Sequence, residues 1–274
     1  MQITTPTSTW PEALSDPSGL RQAKPRTKGL TMVIDKGMGM NAFSDLLATS
    51  GQFIDIVKFG FGTSPLYPIP VIRGKIELAV KQGIIVTPGG TLLEAAVRLD
   101  VVPGFFRQIL ALGFTGVEVS DGTIEISRSQ RNELIRDAKS LGLTVFTEYG
   151  KKQFGSRIDA NDFAATAERD WACGAELVTV EARESGKGVG LFDERGDCRD
   201  GDLSQILKVV PNLNRVLWEA PLKEQQVALI QSLGADVHLG NIPCQDVLTL
   251  ETLRRGLRSD TFGLQQVPNC DYMI

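Results

Sequence analysis

The chain of 274 residues is long enough to bury a large core, and 42% apolar with 23% charged residues is typical of a folded globular protein. Its formal net charge of −4 excludes a global positive field that would recruit nucleic acid or an anionic membrane. No apolar run reaches the ~18 residues that a transmembrane helix needs, which also argues against a membrane protein.

The first 29 residues differ in composition from the rest of the chain. They hold four of the thirteen prolines, few large apolar side chains and a basic stretch at residues 21–28, which predicts an extended N-terminal arm. The start of the chain lacks the pattern of a secretory signal, and the four cysteines have no CxxC or zinc-like spacing. We therefore expect a cytoplasmic protein.

From residue 30 onward, short β-branched apolar runs alternate with polar or glycine-rich loops and helix-like stretches. The predicted strands are residues 31–35, 53–59, 83–87, 116–120, 143–148, 177–181, 215–219 and 236–242. Residues 131–142 and 222–234 are the clearest predicted helices. The strand ends lie about 29 residues apart on average, which is the length of a strand, a helix and two loops.

Eight such units predict a single (β/α)8 TIM barrel over residues 30–263, followed by a tail at 264–274. The competing arrangement is an open doubly wound sheet, which usually has fewer strands and a glycine-rich turn after the first strand. The barrel is favoured because eight units are present and no such turn follows the first.

In a barrel of this kind the residues at the strand C-termini form the active site. Four predicted strands end in a carboxylate that could bind a hard cation such as Mg²⁺, namely Asp35, Glu148, Glu181 and Glu219. The alternative is that these carboxylates are solvated or paired with lysines. Only one histidine, His238, is present, so a two-histidine zinc site is excluded. The position of His238 in the middle of a predicted strand favours a hydrogen-bonded role in the core.

Cationic residues near the same strand ends predict a site for anions. Lys58 lies within an apolar run and is expected to point inward, as is one of the adjacent Lys151 and Lys152. The segment at 183–188 combines two cations with small residues whose N–H groups can approach an oxyanion. The candidates for substrate binding are Lys36, Arg183, Ser185, Gly186, Lys187, Asn241, Arg254 and Arg255. A helix predicted over residues 250–261 would place Arg254 and Arg258 on one face. That face could equally be a solvated surface or a contact with another subunit.

Eight motifs in this order resemble those of the phosphosulfolactate synthase family, which includes a plant branch of heat-stress-associated proteins. They are DKG (35–37), VKFGFGTS (57–64), PGGTL (88–92), VEVSDG (117–122), TEYGKK (147–152), EARESGKGVGLFD (181–193), WEAP (218–221) and LETLRRGLRSDTFG (250–263). The resemblance covers residues 30–263 and leaves the arm and the short tail outside it.

The resemblance implies a TIM barrel that adds sulfite to phosphoenolpyruvate with Mg²⁺, forming (R)-2-phospho-3-sulfolactate for coenzyme M or sulfolactate biosynthesis. By analogy, a lysine of TEYGKK protonates C2, with Lys151 favoured slightly over Lys152, and Glu148 orients it or binds the metal. Tyr149 stands where the family more often has an aliphatic residue, which could change the anion that fits. Alternatives are a barrel lyase with another nucleophile or enol phosphate, and a non-catalytic stress-related protein. We also expect a homo-oligomer, in which the arm could contact another subunit.

Overall fold

Eight parallel β-strands form the centre of the computed structural model, which describes residues 10–262. The strands are β1 Thr31–Asp35, β2 Ile56–Phe59, β3 Ile85–Thr87, β4 Gly116–Val119, β5 Thr144–Tyr149, β6 Leu177–Val180, β7 Val216–Glu219 and β8 His238–Pro243. The α-helices are α1 Glu12–Ser15, α2 Met40–Ser50, α3 Ile69–Lys81, α4 Gly90–Arg98, α5 Val102–Leu112, α6 Arg128–Ser140, α7 Ala160–Cys173, α8 Asp200–Val209, α9 Lys223–Leu233 and α10 Val247–Arg254. All eight predicted strands are confirmed.

The strands close almost completely into a barrel. Their hydrogen-bonded order is β3-β2-β1-β8-β7-β6-β5-β4, and every pair is parallel. At the seam between β3 and β4, the N–H of Thr115 donates to the carbonyl oxygen of Val86 at 3.2 Å. The predicted single (β/α)8 barrel is therefore confirmed.

Apolar side chains fill two separate cores because strand residues alternate between the barrel interior and the helices. The smaller core lies inside the barrel and consists of Met32, Ile56, Phe146, Leu177 and Leu217. The larger core lies between the strands and the surrounding helices, and Val117 and Val119 of β4 belong to it. With the interior plugged by large side chains, the open end at the strand C-termini is left for chemistry.

The last helix differs from its prediction. A helix over residues 250–261 would include Arg258, but α10 ends at Arg254, and Gly256 follows with a left-handed backbone at φ 69°. Glycine adopts that conformation without a Cβ clash, and it commonly terminates a helix. Arg258 therefore lies beyond the helix, where its Nε is 3.8 Å from the Asp260 carboxylate.

The described part of the arm packs on the N-terminal end of its own barrel. Arg21 pairs with Glu251 of α10 at 3.0 Å, and Arg26 pairs at 3.0 Å with Asp55, which precedes β2. Residues 1–9 of the arm and the predicted tail at 264–274 lie outside the described residues. The expected homo-oligomer stays a prediction. Within the described chain, no helix has both the length and the apolar character to cross a bilayer.

His238 is a buried, neutral core residue, as its position in the sequence favours. Its Nδ1 accepts the N–H of Leu30 at 3.0 Å, so its Nε2 carries the hydrogen donated to the Asn214 carbonyl at 2.9 Å. Burial, with a contribution from the nearby Arg254, lowers the pKa of His238 to about 4.

This pKa makes stability depend on pH. Between pH ~6.5 and ~4 only the unfolded chain binds the imidazole proton, so the free energy of unfolding falls as the pH falls through that window. The expected loss attributable to His238 is about 3 kcal/mol. Urea unfolding at pH 7 and pH 4.5 measures it, with His238→Gln as the control because glutamine can keep polar contacts without titrating. Equal pH dependence in both proteins would contradict the assignment.

Candidate active site

A cavity of about 730 Å³ opens at the C-terminal end of the strands. This is the end at which the active sites of (β/α)8 barrels lie. Its wall carries charged and polar side chains from several different strands and loops, including Lys58, Glu118, Glu148, Lys152, Glu181, Arg183, Ser185, Glu219 and Asn241. The structure therefore brings together most of the residues that the sequence analysis selected.

Three of the four predicted metal ligands lie side by side on the floor of this cavity. Glu148 is in β5, Glu181 directly follows β6 and Glu219 ends β7, and each is 2% exposed. One carboxylate oxygen from each lies within 4.8 Å of the others. Glu148 Oε1 and Glu181 Oε2 are buried, and the Lys152 ammonium is the cation nearest to them within residues 10–262, at 3.0 and 3.6 Å. Such a convergent set of oxygen ligands fits a hard divalent cation.

The pKa values of two carboxyl groups on the floor of the cavity are shifted in opposite directions. Burial would raise the pKa of Glu148, but the ammonium of Lys152 and other neighbouring groups outweigh burial and lower it to about 2. Burial together with the charges of Glu148 and Glu219 raises the pKa of Glu181 well above its ordinary value. Of this pair, Glu148 therefore favours the ionised form more strongly than Glu181 does.

Asp35, the fourth predicted ligand, is not part of this group. Its side chain is fully buried and pairs with the Lys75 ammonium, which also lies 4.8 Å from the ring centroid of Phe43. Its Oδ1 accepts the N–H of Gly37 at 2.9 Å and of Met38 at 2.8 Å. These bonds hold the loop after β1, and they place Asp35 apart from the other three predicted ligands.

Lys58 points inward from β2, as predicted, and is 5% exposed. Its Nζ lies 2.9 Å from Glu219 Oε1 and 3.4 Å from Glu118 Oε2. Burial lowers the pKa of Lys58, but Glu118, Glu219 and Glu148 outweigh burial and raise it well above its ordinary value. The amine therefore stays protonated, which argues against nucleophilic or Schiff-base chemistry at Lys58.

The sequence analysis missed Glu118, which lies in β4 and lines the cavity. Its Oε1 accepts the N–H of Gly90 at the start of α4 at 2.9 Å. Burial, opposed by Lys58 and reinforced by Glu148 and Glu219, raises its pKa to about 7. The alternation of side chains along the strand could have identified Glu118 from the sequence. Val117 and Val119 face the helices, so the glutamate between them must face the barrel interior.

Lys151 and Lys152 point to different places. Lys152 lines the cavity, and its Nζ lies 3.0 Å from Glu148 Oε1 and 3.6 Å from Glu181 Oε2. Lys151 lines a separate pocket of about 240 Å³, where its Nζ donates to the Asp121 carbonyl at 2.7 Å. The larger cavity thus contains Lys152, whereas Lys151, which the sequence slightly favoured, lies outside it.

Tyr149 lies with Lys151 in the separate pocket, and its hydroxyl donates to Asp162 at 2.7 Å. It does not line the larger cavity, so its presence gives no reason to expect a changed anion specificity there.

The loop after β6 supplies part of the rim. Arg183 and Ser185 line the cavity, whereas Lys187 is exposed and does not. Gly186 is buried behind them, and Gln225 of α9 donates from its Nε2 to the carbonyl oxygens of Gly186 at 2.6 Å and Gly196 at 3.2 Å. Gln225, which the sequence analysis did not consider, thus clamps this loop at two points.

Lys36 reaches the rim indirectly. Its Nζ is 2.5 Å from Glu184 Oε1, and this pair links the loops after β1 and β6. Glu184 lines the cavity, but Lys36 itself does not. Because both side chains are about half exposed, solvent weakens the pair.

Backbone strain is concentrated at the cavity. Of the four non-glycine residues with a left-handed backbone among residues 10–262, three line it: Phe61 at φ 58°, Arg183 at φ 61° and Asn241 at φ 53°. Asn241 is 5% exposed, and its Oδ1 accepts no hydrogen bond from the described part of the chain. Strained residues of this kind cluster at functional sites, which supports the selection of Arg183 and Asn241 as site residues.

Arg254 and Arg255 do not belong to this cavity, contrary to their prediction as substrate-binding residues. Helix α10 runs back toward the N-terminal end of the barrel, so its last turn lies opposite the cavity. Arg254 donates to the carbonyl oxygens of Val237 at 2.7 Å and Leu30 at 3.2 Å. Arg255 donates to the Ser15 carbonyl of the arm at 2.7 Å.

Comparison with known families adds to this geometry. The family model described as (2R)-phospho-3-sulfolactate synthase (ComA) matches residues 19–260. The chain belongs to this family. The resemblance stated from the eight motifs is therefore confirmed, and the match also includes part of the arm.

Named relatives agree with the family model. The chain is 41% identical over 245 residues to phosphosulfolactate synthase of Methanothermobacter thermautotrophicus, covering 89% of this chain and 95% of the relative. It is 44% identical over 238 residues to phosphosulfolactate synthase of Methanocaldococcus jannaschii, covering 86% and 94%. Protein HEAT-STRESS-ASSOCIATED 32 of Arabidopsis thaliana is 24% identical over 265 residues, covering 85% and 88%. The ComA family members named as synthases support an enzyme.

Proposed function

We propose that this chain is a phosphosulfolactate synthase, a lyase that adds sulfite to phosphoenolpyruvate with Mg²⁺ and forms (R)-2-phospho-3-sulfolactate. The observation that carries the proposal is the position of the Lys152 ammonium, 3.0 Å from Glu148 Oε1 within the cavity of a ComA family barrel. A proton donor there stands beside a set of oxygen ligands, which is the combination that this addition needs.

Glu148, Glu181 and Glu219 are the residues that would hold Mg²⁺. When bound, the ion would stabilise the negative charge that develops on the substrate carboxylate during the addition. Lys58 would keep Glu219 in place, because its buried ammonium already pairs with Glu219 Oε1 at 2.9 Å. The carboxyl group of Glu118 would pair with the same Lys58 ammonium.

Both substrates are anions, so the cavity must supply positive or hydrogen-bonding groups on its open side. Arg183 and Ser185 on the rim, with the amide of Asn241 on the wall, are the groups available for the phosphate and sulfite oxygens. Arg183 on the rim and Lys152 in the cavity would bring the two anions together against their mutual repulsion, and would thereby favour a reactive arrangement.

The proposed reaction needs one proton. The sulfur of sulfite forms a bond to C3 of phosphoenolpyruvate, and the electron pair of the C2–C3 double bond moves toward C2 and the carboxylate. Lys152 then donates a proton from Nζ to C2, which completes the addition. Although burial lowers the pKa of Lys152, the carboxylates of Glu148, Glu181 and Glu118 raise it above its ordinary value, so the lysine starts the reaction protonated.

Phosphorus NMR of the purified protein with phosphoenolpyruvate, sulfite and Mg²⁺ tests the proposal. We expect a new phosphate-ester signal that depends on sulfite, on Mg²⁺ and on the protein, with each omitted in turn as a control. Addition of a chelator should abolish the signal, and excess Mg²⁺ should restore it. Unchanged phosphoenolpyruvate in folded, metal-replete protein would contradict the proposal and favour another enol phosphate, another nucleophile or a non-catalytic role.

A further inference from the structure

The carboxylates on the cavity floor are neutralised by two ammonium groups that differ in their freedom to move. Lys58 is 5% exposed and contacts Glu219 and Glu118 at 2.9 and 3.4 Å. The Lys152 side chain is 25% exposed, and its Nζ contacts Glu148 and Glu181 at 3.0 and 3.6 Å. Lys58 is thus enclosed by its partners, whereas Lys152 reaches its partners from the open cavity.

The position of Lys152 Nζ conflicts with a divalent cation on the same oxygens. Mg²⁺ binds carboxylate oxygens at about 2.0–2.1 Å, so an ion on Glu148 and Glu181 would lie next to the ammonium. Two positive charges at such a distance repel each other strongly where water is largely excluded. The oxygens of Glu148 and Glu181 can serve the ammonium or the cation, but not both at these distances.

Lys152 has both the anchor and the space that a movement requires. Its backbone N–H donates to the carbonyl oxygen of Gly122 at 3.1 Å, which holds the start of the side chain. A Cβ at Gly122 would come within 3.1 Å of the Lys152 methylene carbons, so glycine leaves room for the stem. Thr91 Oγ1, 3.3 Å from Nζ, and Glu94 Oε1, 3.8 Å away, are partners of the ammonium besides Glu148 and Glu181.

We propose that Lys152 is a movable counter-ion: its ammonium holds the cation position beside Glu148 and Glu181, and leaves it for the cavity when a divalent cation binds. The inference rests on the proposed function, because it takes the three glutamates as the cation site. It adds that cation binding and the position of the proton donor are linked. Lys152 then becomes available to substrate only in the metal-loaded protein, which protects phosphoenolpyruvate from unproductive contact before the site is complete.

The test measures cation affinity rather than activity. Chelator-treated wild-type protein, Lys152→Met and Lys151→Met are titrated with Mn²⁺ as the probe, and free Mn²⁺ is followed by electron paramagnetic resonance. We expect Lys152→Met to bind Mn²⁺ tighter by about tenfold or more, in the range typical of two linked ligands. Lys151→Met, which removes the same charge one residue away, is expected to match the wild type. Thermal unfolding monitored by circular dichroism verifies that each variant is folded.

A second measurement follows the lysine directly. After reductive ¹³C-methylation, the signal that Lys152→Met lacks is assigned to Lys152, and addition of Mg²⁺ is expected to shift it. Equal or weaker Mn²⁺ binding by folded Lys152→Met, or a Lys152 signal unaffected by saturating Mg²⁺, would overturn the proposal and leave the metal site standing. If neither the wild type nor Lys152→Met binds Mn²⁺, the proposed cation site and the counter-ion role fail together.

Discussion

Replacing Lys152 with methionine is expected to lower the rate of product formation by about 100- to 10,000-fold, the range typical for loss of a positioned proton donor. Methionine keeps the length of the stem but has no ammonium, so the cavity keeps its shape and loses the proton. The loss should appear in kcat, because the proton is transferred only after both substrates have bound. Initial rates by phosphorus NMR at saturating phosphoenolpyruvate, sulfite and Mg²⁺ measure it.

Lys151→Met is the matched control for this experiment. Its ammonium contacts Asp121, which lines the separate pocket, and the exposed Glu125, and its side chain is 42% exposed. We expect its rate to stay within about threefold of the wild type, since substitutions outside a site change free energies by about 0.5 kcal/mol. A large loss with Lys151→Met and a small one with Lys152→Met would assign the proton donor to the other lysine.

Replacing Lys58 with methionine is expected to lower the free energy of unfolding by about 3–5 kcal/mol, as for other buried ion pairs that lose one partner. Glu118 and Glu219 are each within 3.4 Å of Lys58 Nζ and buried, so without the ammonium these two carboxyl groups lose the cation that they share and are left without an ion pair. Urea unfolding at pH 7.5 measures the change. Activity should also fall, because Glu219 loses the contact that orients it.

A second substitution separates charge from packing at this position. In Lys58→Met/Glu118→Leu, one of the two unpaired carboxylates is removed, and we expect part of the lost stability to return because a buried polar pair can be replaced by apolar side chains. A double variant no more stable than Lys58→Met would indicate that the methylene packing of Lys58, and not its charge, carries the effect.

The strand pattern could be predicted because buried parallel strands are short, apolar and β-branched, and because their spacing repeats. Because the C-termini of parallel strands meet at one end of a barrel, Glu148, Glu181 and Glu219 could be placed there from the sequence. Asp35 could be placed at the same end, but its buried partner is Lys75, 40 residues later in a helix. No local sequence pattern predicts that pair.

For Lys151 and Lys152, the sequence could not predict which side chain enters the cavity. Lys151 and Lys152 follow β5 directly, where strand alternation no longer holds, so only the path of the loop decides which one faces the cavity. That path depends on Gly150, at φ 124°, and on the hydrogen bond from Lys152 to Gly122. Arg254 was selected because it follows β8 in the sequence, but a helix of two turns carries its side chain to the carbonyls of Val237 and Leu30 at the far end of the barrel.

The contacts of the arm also constrain the order in which the molecule can assemble. Arg21 pairs with Glu251, which is 230 residues later in the chain, and Arg255 bonds Ser15 across 240 residues. The chain must therefore be synthesised through residue 255 before both bonds can form, and closing such long loops is entropically unfavourable until other contacts have brought the two segments together. Ser15 and Arg21 thus find these partners only after α10 has formed, whereas Arg26 pairs with Asp55, which is close in the chain.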